Sequence, residues 1–414
     1  MSSSARRRLT VVLTTAALAV PWSTPSAALA EPTATPSTAT TATASANAPI
    51  PCPKAVAPKV SRPKRPTPPA DNAAQKALGG EQLASPGLVV PSGVASPPAN
   101  TAISWVVADL DTGEVLGACG AHEYGTPASV QKLLLTATYL DKLDPAQIAT
   151  VTADDLKQVP WDSSKVGLVT NGKYSIETLW LGLLLQSGND AATVLARLGG
   201  GTVAAGVQGM NAEAEKLGAF QTHAVTPSGY DGKGQFTSAY DLALIARVCF
   251  GNETFRKYAL TQRTQIPAQP PKHKGFQIQN ENQLIYNYPG ALGGKTGFTS
   301  LARHTYVGAA ERNGRRLVVT LMGAEPKPQR GWQQGAALLD WGFSLPSGTS
   351  VGHLVTPEEA HPAPSASVSS SAPIIAEAAA GSLWAPIPIA AGVAVATGLS
   401  VLIGLFRIRR RRRA

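Results

Sequence analysis

The chain has 414 residues, a formal net charge of +10 at pH 7 and three cysteines, a length that admits one large domain or two ordinary ones. The positive excess is not spread along it: residues 100–348 hold 21 Lys/Arg against 20 Asp/Glu, and the surplus sits in Arg6–Arg8, Lys54–Arg65 and Arg407–Arg413. Such local runs read as targeting and topology signals and give no support to nucleic-acid binding. Cys52, Cys119 and Cys249 form no C-x-x-C or His/Cys cluster, so nothing suggests zinc. No His pairs with a nucleophile-like setting, which leaves a Ser-His-Asp hydrolase unsupported.

Residues 1–30 read as a secretory signal peptide: a charged start at Arg6–Arg8, an apolar run over Leu9–Val20, and the small-residue stretch Ala28-Leu29-Ala30. An exported chain can oxidise one cysteine pair and leave one thiol over, or leave all three free, and the sequence does not choose among these. Residues 31–98, rich in Pro, Ala, Thr and Ser, are expected to be a disordered, semi-extended linker, because this composition buries too little apolar surface to offset the entropy of ordering.

A folded domain over residues 99–348 is expected to follow. Ile103–Leu110 and Glu114–Ala118 are strand-forming runs joined by the turn residues Asp111-Thr112-Gly113. Pro127 leads into a helix reaching Leu140, and Ser175 with Glu177 marks the start of the apolar helix Ile176–Leu185. Asn189 or Asp190 is placed to cap an Ala-rich helix ending near Leu198, and helical patterns continue through Val203–Leu217 and Ser238–Val248. Phe276–Tyr286 and Gly293–Phe298 have β character. Thr305–Glu311 and Arg316–Met322 are joined by Asn313-Gly314, a hairpin signal, and Gly331–Phe343 is an amphipathic helix candidate. The order predicts a mixed α/β fold of the α+β kind: an antiparallel sheet with flanking helices plus an inserted helical lobe.

Residues 349–381 are again low-complexity and are expected to be a linker. Leu383–Phe406 is a run of 24 residues without a charge, so 382–406 is expected to cross a bilayer, followed by a basic tail over 407–414. The positive-inside tendency puts that tail in the cytoplasm. The expectation is a single-pass cell-membrane protein whose folded domain is extracellular.

The chemistry centres on PASVQKLLL, residues 127–135. On a helix, positions i and i+3 share a face, so the Lys132 amine is expected beside the Ser129 hydroxyl. A desolvated lysine is one way to give a serine the base it needs, and unpaired N–H groups in the first turn favour developing negative charge. Alone, a Ser-x-x-Lys pair is weak. Two further polar clusters lie 58 and 166 residues beyond Ser129: Ser187-Gly188-Asn189 at a helix-to-helix turn and Lys295-Thr296-Gly297 on a strand. Three such elements would line a cleft between a sheet and a helical lobe.

This motif set resembles that of the penicillin-binding proteins and class A β-lactamases. From about 101 to 345 the chain resembles the D-alanyl-D-alanine carboxypeptidases of serine peptidase family S11, the low-molecular-mass penicillin-binding proteins, in their actinobacterial, membrane-anchored form. VADLDTGEVL (107–116), PASVQK (127–132), LLLQSGNDAA (183–192), TPSGYDG (226–232), TSAYDLALIAR (237–247) and NYPGALGGKTGFT (287–299) carry the likeness.

The resemblance implies a β-lactamase/transpeptidase-like fold. It implies removal of the terminal D-Ala from peptidoglycan stem peptides ending in D-Ala-D-Ala, and covalent inhibition by β-lactam antibiotics, with no cofactor and no metal. Ser129 would be the nucleophile and Lys132 its general base. Ser187 would relay a proton to the leaving amine, and Asn189 would hold the substrate amide and order the Lys132 region. Lys295 and Thr296 would take the terminal carboxylate. The N–H groups of Ser129 and Phe298, the latter beside Gly297, would form the oxyanion hole. Gln131 departs from the usual pattern.

Three other readings compete. A D,D-endopeptidase acting on cross-links would use the same machinery. A class A-like β-lactamase needs a deacylating carboxylate, and no E-x-x-L-N lies between Ser187 and Lys295. A wall-anchored, non-catalytic scaffold would not require every motif residue.

Overall fold

The computed structural model describes residues 48–362. The expected signal peptide (1–30), membrane helix (382–406) and basic tail (407–414) lie outside the described residues, and among the described residues no helix is long and apolar enough to cross a membrane.

The chain enters through helix α1 (Ala73–Lys76) and strands β1 (Leu88–Val89), β2 (Ser104–Asp109) and β3 (Glu114–Cys119), then helix α2 (Lys132–Tyr139). The helical lobe is built from β4 (Ile148–Thr150), α3 (Ala153–Lys157), β5 (Lys173–Ser175), α4 (Ile176–Leu185), α5 (Asn189–Gly200) and α6 (Val203–Lys216). Helices α7 (Ala239–Gly251) and α8 (Glu253–Leu260), the ribbon β6 (Arg263–Ile266) and β7 (Phe276–Gln279), and α9 (Leu284–Asn287) lead back to the sheet. It is completed by β8 (Ala291–Thr299), β9 (Arg303–Arg312), β10 (Arg315–Ala324), α10 (Gly331–Ser344) and β11 (Gly352–His353), with α11 (Pro357–Ala360) last.

The seven-stranded sheet runs β1-β3-β2-β10-β9-β8, with β11 also on β3, and its pairings are antiparallel. Both of its faces are covered. Trp105, Val107, Leu317 and Val319 pack with Leu338, Leu339 and Trp341 of α10, while Val106, Ala108 and Val318 pack with residues of α2 and α7. This is why the β2 sequence is apolar without alternation: a strand buried on both faces has no polar side to show. The β9–β10 hairpin turns at Asn313 and Gly314, both with positive φ (52° and 77°), as a two-residue primed turn requires. Ser175 caps α4 through its side chain, accepting from Thr178 N–H.

Two expected boundaries are corrected. The region read as a disordered linker, 31–98, packs against the domain over its described part. Cys52 is disulfide-bonded to Cys119 on β3, Leu83 is wholly buried, β1 pairs with β3, and Trp341 Nε1 donates to Ala95 O at 2.8 Å. A few apolar anchors and one covalent tie outweigh a composition that argues against order. The linker expected over 349–381 also begins too early: Val351, Leu354 and Val355 are buried, β11 adds to β3, and Tyr240 Oη donates to His353 O at 2.8 Å. The domain boundaries expected at 99 and 348 therefore move outward, to before Cys52 and to Ala360.

Cys249 is free and buried, and burial pushes its thiol up. The Cys52–Cys119 bridge spans a sequence separation of 67. Closing a loop of that length removes unfolded-state entropy worth at most about 4 kcal/mol. The double variant Cys52→Ser/Cys119→Ser is expected to melt several degrees lower than wild type. An unchanged melting temperature would mean that the strap is held by packing alone.

Candidate active site

Ser129 sits on a 3-10 turn, Ala128–Gln131, between Pro127 and α2. The turn is fixed from two sides. Thr305 Oγ1 on β9 donates to Pro127 O at 2.7 Å, and Gly229 approaches so closely that a Cβ there would lie 1.9 Å from Ala128 O. Ala128 itself has φ +50°, a left-handed conformation that costs energy in a non-glycine residue and is held by these contacts. In a 3-10 turn positions i and i+3 eclipse. Lys132, the first residue of α2, is thereby brought over Ser129, with Nζ 2.7 Å from Ser129 Oγ.

Lys132 is fully buried. Its amine also donates to Asn189 Oδ1 at 2.7 Å and to Ser228 O at 2.9 Å, and no carboxylate lies within ion-pair distance among the described residues. Burial, and then the charge of Lys295, push Lys132 well below its ordinary value, with Asp190 and Glu281 opposing. In its neutral form, an amine held on a serine hydroxyl is arranged to accept its proton.

Ser187 and Asn189 come from the turn between α4 and α5. Ser187 has φ +58°, and its Oγ is buried with no hydrogen-bond partner among the described residues. Asn189 does not cap α5, and neither does Asp190: the cap position is Gly188, without a side-chain bond. Tertiary contacts take precedence over the local capping rule here. Asn189 turns to Lys132, while the Asp190 carboxylate collects the N–H groups of Val166, Gly167 and Leu168 at 2.8–2.9 Å and fixes that loop beside the cleft.

Lys295, Thr296, Gly297 and Phe298 lie along β8, the edge strand next to the Ser129 turn. Lys295 is 2% exposed, donates to Thr296 O at 2.7 Å, and is pushed down to about 8 by burial, with Glu281 opposing. Phe298 is half-exposed, and its ring lies against His304, centroids 4.6 Å apart.

These elements enclose a cleft of about 440 Å³. Ser129, Ser187, Asn189, Thr296, Gly297 and Phe298 line it. The two lysines are buried next to it, in contact with its lining through Ser129 and Thr296. Tyr230, Asp231, Glu281 and His304 also line it and were not foreseen as site residues.

The stretch TPSGYDG gains a structural reason, since it supplies Ser228 O to Lys132 and Gly229 to the Ser129 turn. Gln131 is accounted for as well. Its Nε2 donates to Thr226 O at 2.6 Å and to Gln235 Oε1 at 3.3 Å, tying that same stretch to the helix start. Among the described residues no three His, Cys, Asp or Glu side chains are grouped to hold a metal ion.

A sequence profile of the D-alanyl-D-alanine carboxypeptidases, peptidase family S11, matches residues 92–326. The chain belongs to this family. D-alanyl-D-alanine carboxypeptidase DacB2 of Mycobacterium tuberculosis is 42% identical over 275 residues, covering 64% of this chain and 90% of that protein. The crystal structure of a D-alanyl-D-alanine carboxypeptidase from Mycobacterium tuberculosis superposes with a TM-score of 0.60 at 40% identity, over 64% of this chain and 99% of that one. The Streptomyces K15 DD-transpeptidase gives 0.58 at 25% identity, over 61% of this chain and 100% of that one. With the family come a serine hydrolase and the transpeptidase-like α/β fold expected from the sequence.

Proposed function

We propose that this D-alanyl-D-alanine carboxypeptidase removes the terminal D-Ala of peptidoglycan stem pentapeptides through an acyl-enzyme on Ser129, and that β-lactams acylate the same hydroxyl. The observation that carries this reading is the buried Lys132 amine, without an ion-pair partner, 2.7 Å from Ser129 Oγ.

Ser129 Oγ attacks the carbonyl carbon of the penultimate D-Ala while its proton passes to Lys132 Nζ. The negative charge forming on the carbonyl oxygen is met by the N–H groups of Ser129 and Phe298. The C–N bond then breaks as the proton passes from Lys132, by way of Ser187 Oγ, to the leaving D-Ala amine. Water repeats the sequence on the ester and frees Ser129. Asn189 holds the substrate amide. Lys295, still protonated below about pH 8, and the Thr296 hydroxyl take the terminal carboxylate. A β-lactam presents the same carbonyl and carboxylate, but its leaving nitrogen stays tethered, so water is slow to finish the cycle.

Export through residues 1–30 and anchoring through 382–406 belong to the same proposal. They would hold the domain outside the cell membrane, where its polymer substrate lies.

The test is D-Ala release from a pentapeptide ending in D-Ala-D-Ala, with labelling by a fluorescent penicillin, in membrane and soluble fractions. Wild type is expected to show both activities in the membrane fraction, and Ser129→Ala neither. Labelling without release would move the substrate to cross-linked dimers, and activity found only in the soluble fraction would remove the anchor.

A further inference from the structure

Lys132 and Lys295 stand beside one cleft, and neither has an ion-pair partner among the described residues. The proposed reaction needs them in opposite states at one pH, Lys132 neutral as base and Lys295 charged as carboxylate binder. Burial alone does not provide this, because it drives both toward the neutral form. Something must favour the proton on Lys295.

Glu281 is built into the cleft wall for such a role. It stands between two buried asparagines that bolt its backbone in place. Asn280 Nδ2 donates to Ala259 O at 3.0 Å and Thr261 O at 3.1 Å, and its Oδ1 accepts from Asn282 N at 2.9 Å. Asn282 Oδ1 in turn accepts from Leu284 N at 3.2 Å and from the Tyr306 hydroxyl at 3.1 Å. The N–H of Glu281 donates to Leu185 O at 3.0 Å, at the end of α4 and two residues before Ser187. With the backbone pinned at three consecutive residues, Glu281 lines the cleft together with Ser187 and Thr296; it is solvent-exposed, and its carboxylate accepts no hydrogen bond from the described residues.

The other charged groups near the cleft are already engaged. Asp162 accepts from the Tyr230 hydroxyl at 2.9 Å, and Asp231 from Thr299 Oγ1 at 2.7 Å. Asp190 is taken up by backbone N–H groups. His304 is pushed down by burial and then by the charge of Arg303, with Glu325 opposing.

We propose that Glu281 is a positioning residue of the reaction: the fixed negative charge that decides which of the two buried lysines carries the cleft's proton. At Lys295 it is the charge opposing burial; at Lys132 it acts behind Asp190, and the charge of Lys295 opposes both. The roles of the two lysines rest on the carboxypeptidase reading above.

The test is the pH profile of kcat/KM for D-Ala release by the full chain, with the pH profile of benzylpenicillin acylation measured in parallel. Glu281→Gln keeps the shape and removes the charge. Lys295 then loses its proton at lower pH, so the basic limb is expected to move toward acid by roughly half to one pH unit. The change should appear mainly as a several-fold rise in KM above neutrality. Glu281→Asp is expected to restore the wild-type limb.

An unmoved limb in Glu281→Gln, or an equal loss at every pH, overturns the proposal. If wild type takes up penicillin but releases no D-Ala, the substrate reading fails and the acylation profile decides on Glu281. If wild type does neither, both fall.

Discussion

Lys132→Ala is expected to slow acylation of Ser129 by about 10²- to 10⁴-fold, the range over which a positioned general base contributes. The substitution leaves Asn189 Oδ1 and Ser228 O without the donor that now satisfies them at 2.7 and 2.9 Å, so some stability is lost as well, and melting curves must accompany the rates. Lys132→Arg separates the two roles a lysine can play here. Arginine keeps a positive charge but does not deprotonate in proteins. It is therefore expected to be as slow as alanine if Lys132 acts as a base, and much faster if only its charge matters.

The pH dependence follows with a definite sign. Lys132 is active when neutral, so activity falls as pH drops through its lowered value. Lys295 is active when charged, so activity falls again as pH rises through about 8. The profile of wild-type acylation by a fluorescent penicillin is expected to be a bell with its basic side near 8. A Lys132→Ala protein acylating within tenfold of wild type would remove Lys132 from the role of base.

The parts of this site that were legible in the sequence are those with a local signature. Ser129 and Lys132 lie one turn apart, Ser187-Gly188-Asn189 breaks a helical run, and Lys295-Thr296-Gly297 sits in a β run before a clear hairpin. Neighbouring residues impose each of these, so the pattern survives without knowledge of the fold. The helix from Ile176 and the turn at Asn313-Gly314 were readable for the same reason. Other contributions carry no local mark. Ser228 acts through a carbonyl oxygen, which any residue supplies. Glu281 lies in an irregular segment and meets the cleft only because Asn280 and Asn282 tie that segment to α8 and β9. Asn189 shows a local rule being overruled, its amide turned from the helix end to a lysine 57 positions away. The ordered strap before residue 99 and the extension after 348 escaped for another reason. Averaged over a window, their Pro, Ala and Ser content hides single anchors such as Cys52, Leu83 and Leu354, whose partners are remote in sequence.

Gly297→Ala is expected to reduce acylation by both substrate and penicillin by about 10²- to 10³-fold, the cost of disturbing one oxyanion donor. The reason lies in how β8 meets the nucleophile. A Cβ at position 297 would lie 2.3 Å from Thr305 Oγ1, 2.9 Å from Ser129 N and 3.1 Å from Val130 N. Thr305 cannot yield freely, since it is buried and its hydroxyl is committed to Pro127 O at 2.7 Å. Nor does β8 move easily, because its register with β9 is set pair by pair, Gly297 on Thr305 and Phe298 on His304. The strain therefore falls on the gap between the Ser129 turn and the strand, where the two proposed donors, Ser129 N–H and Phe298 N–H, must converge on one oxygen. Overpacking of this kind costs about 1–3 kcal/mol of stability, too little to unfold a domain of this size, so the loss should appear in the rate at temperatures well below melting. Gly251→Ala is the control: a Cβ there meets nothing within 4 Å, and its acylation rate is expected to match wild type. If Gly297→Ala also acylates at the wild-type rate, the oxyanion is not held between these two backbone groups, and the donor on the strand side must be sought elsewhere along the cleft.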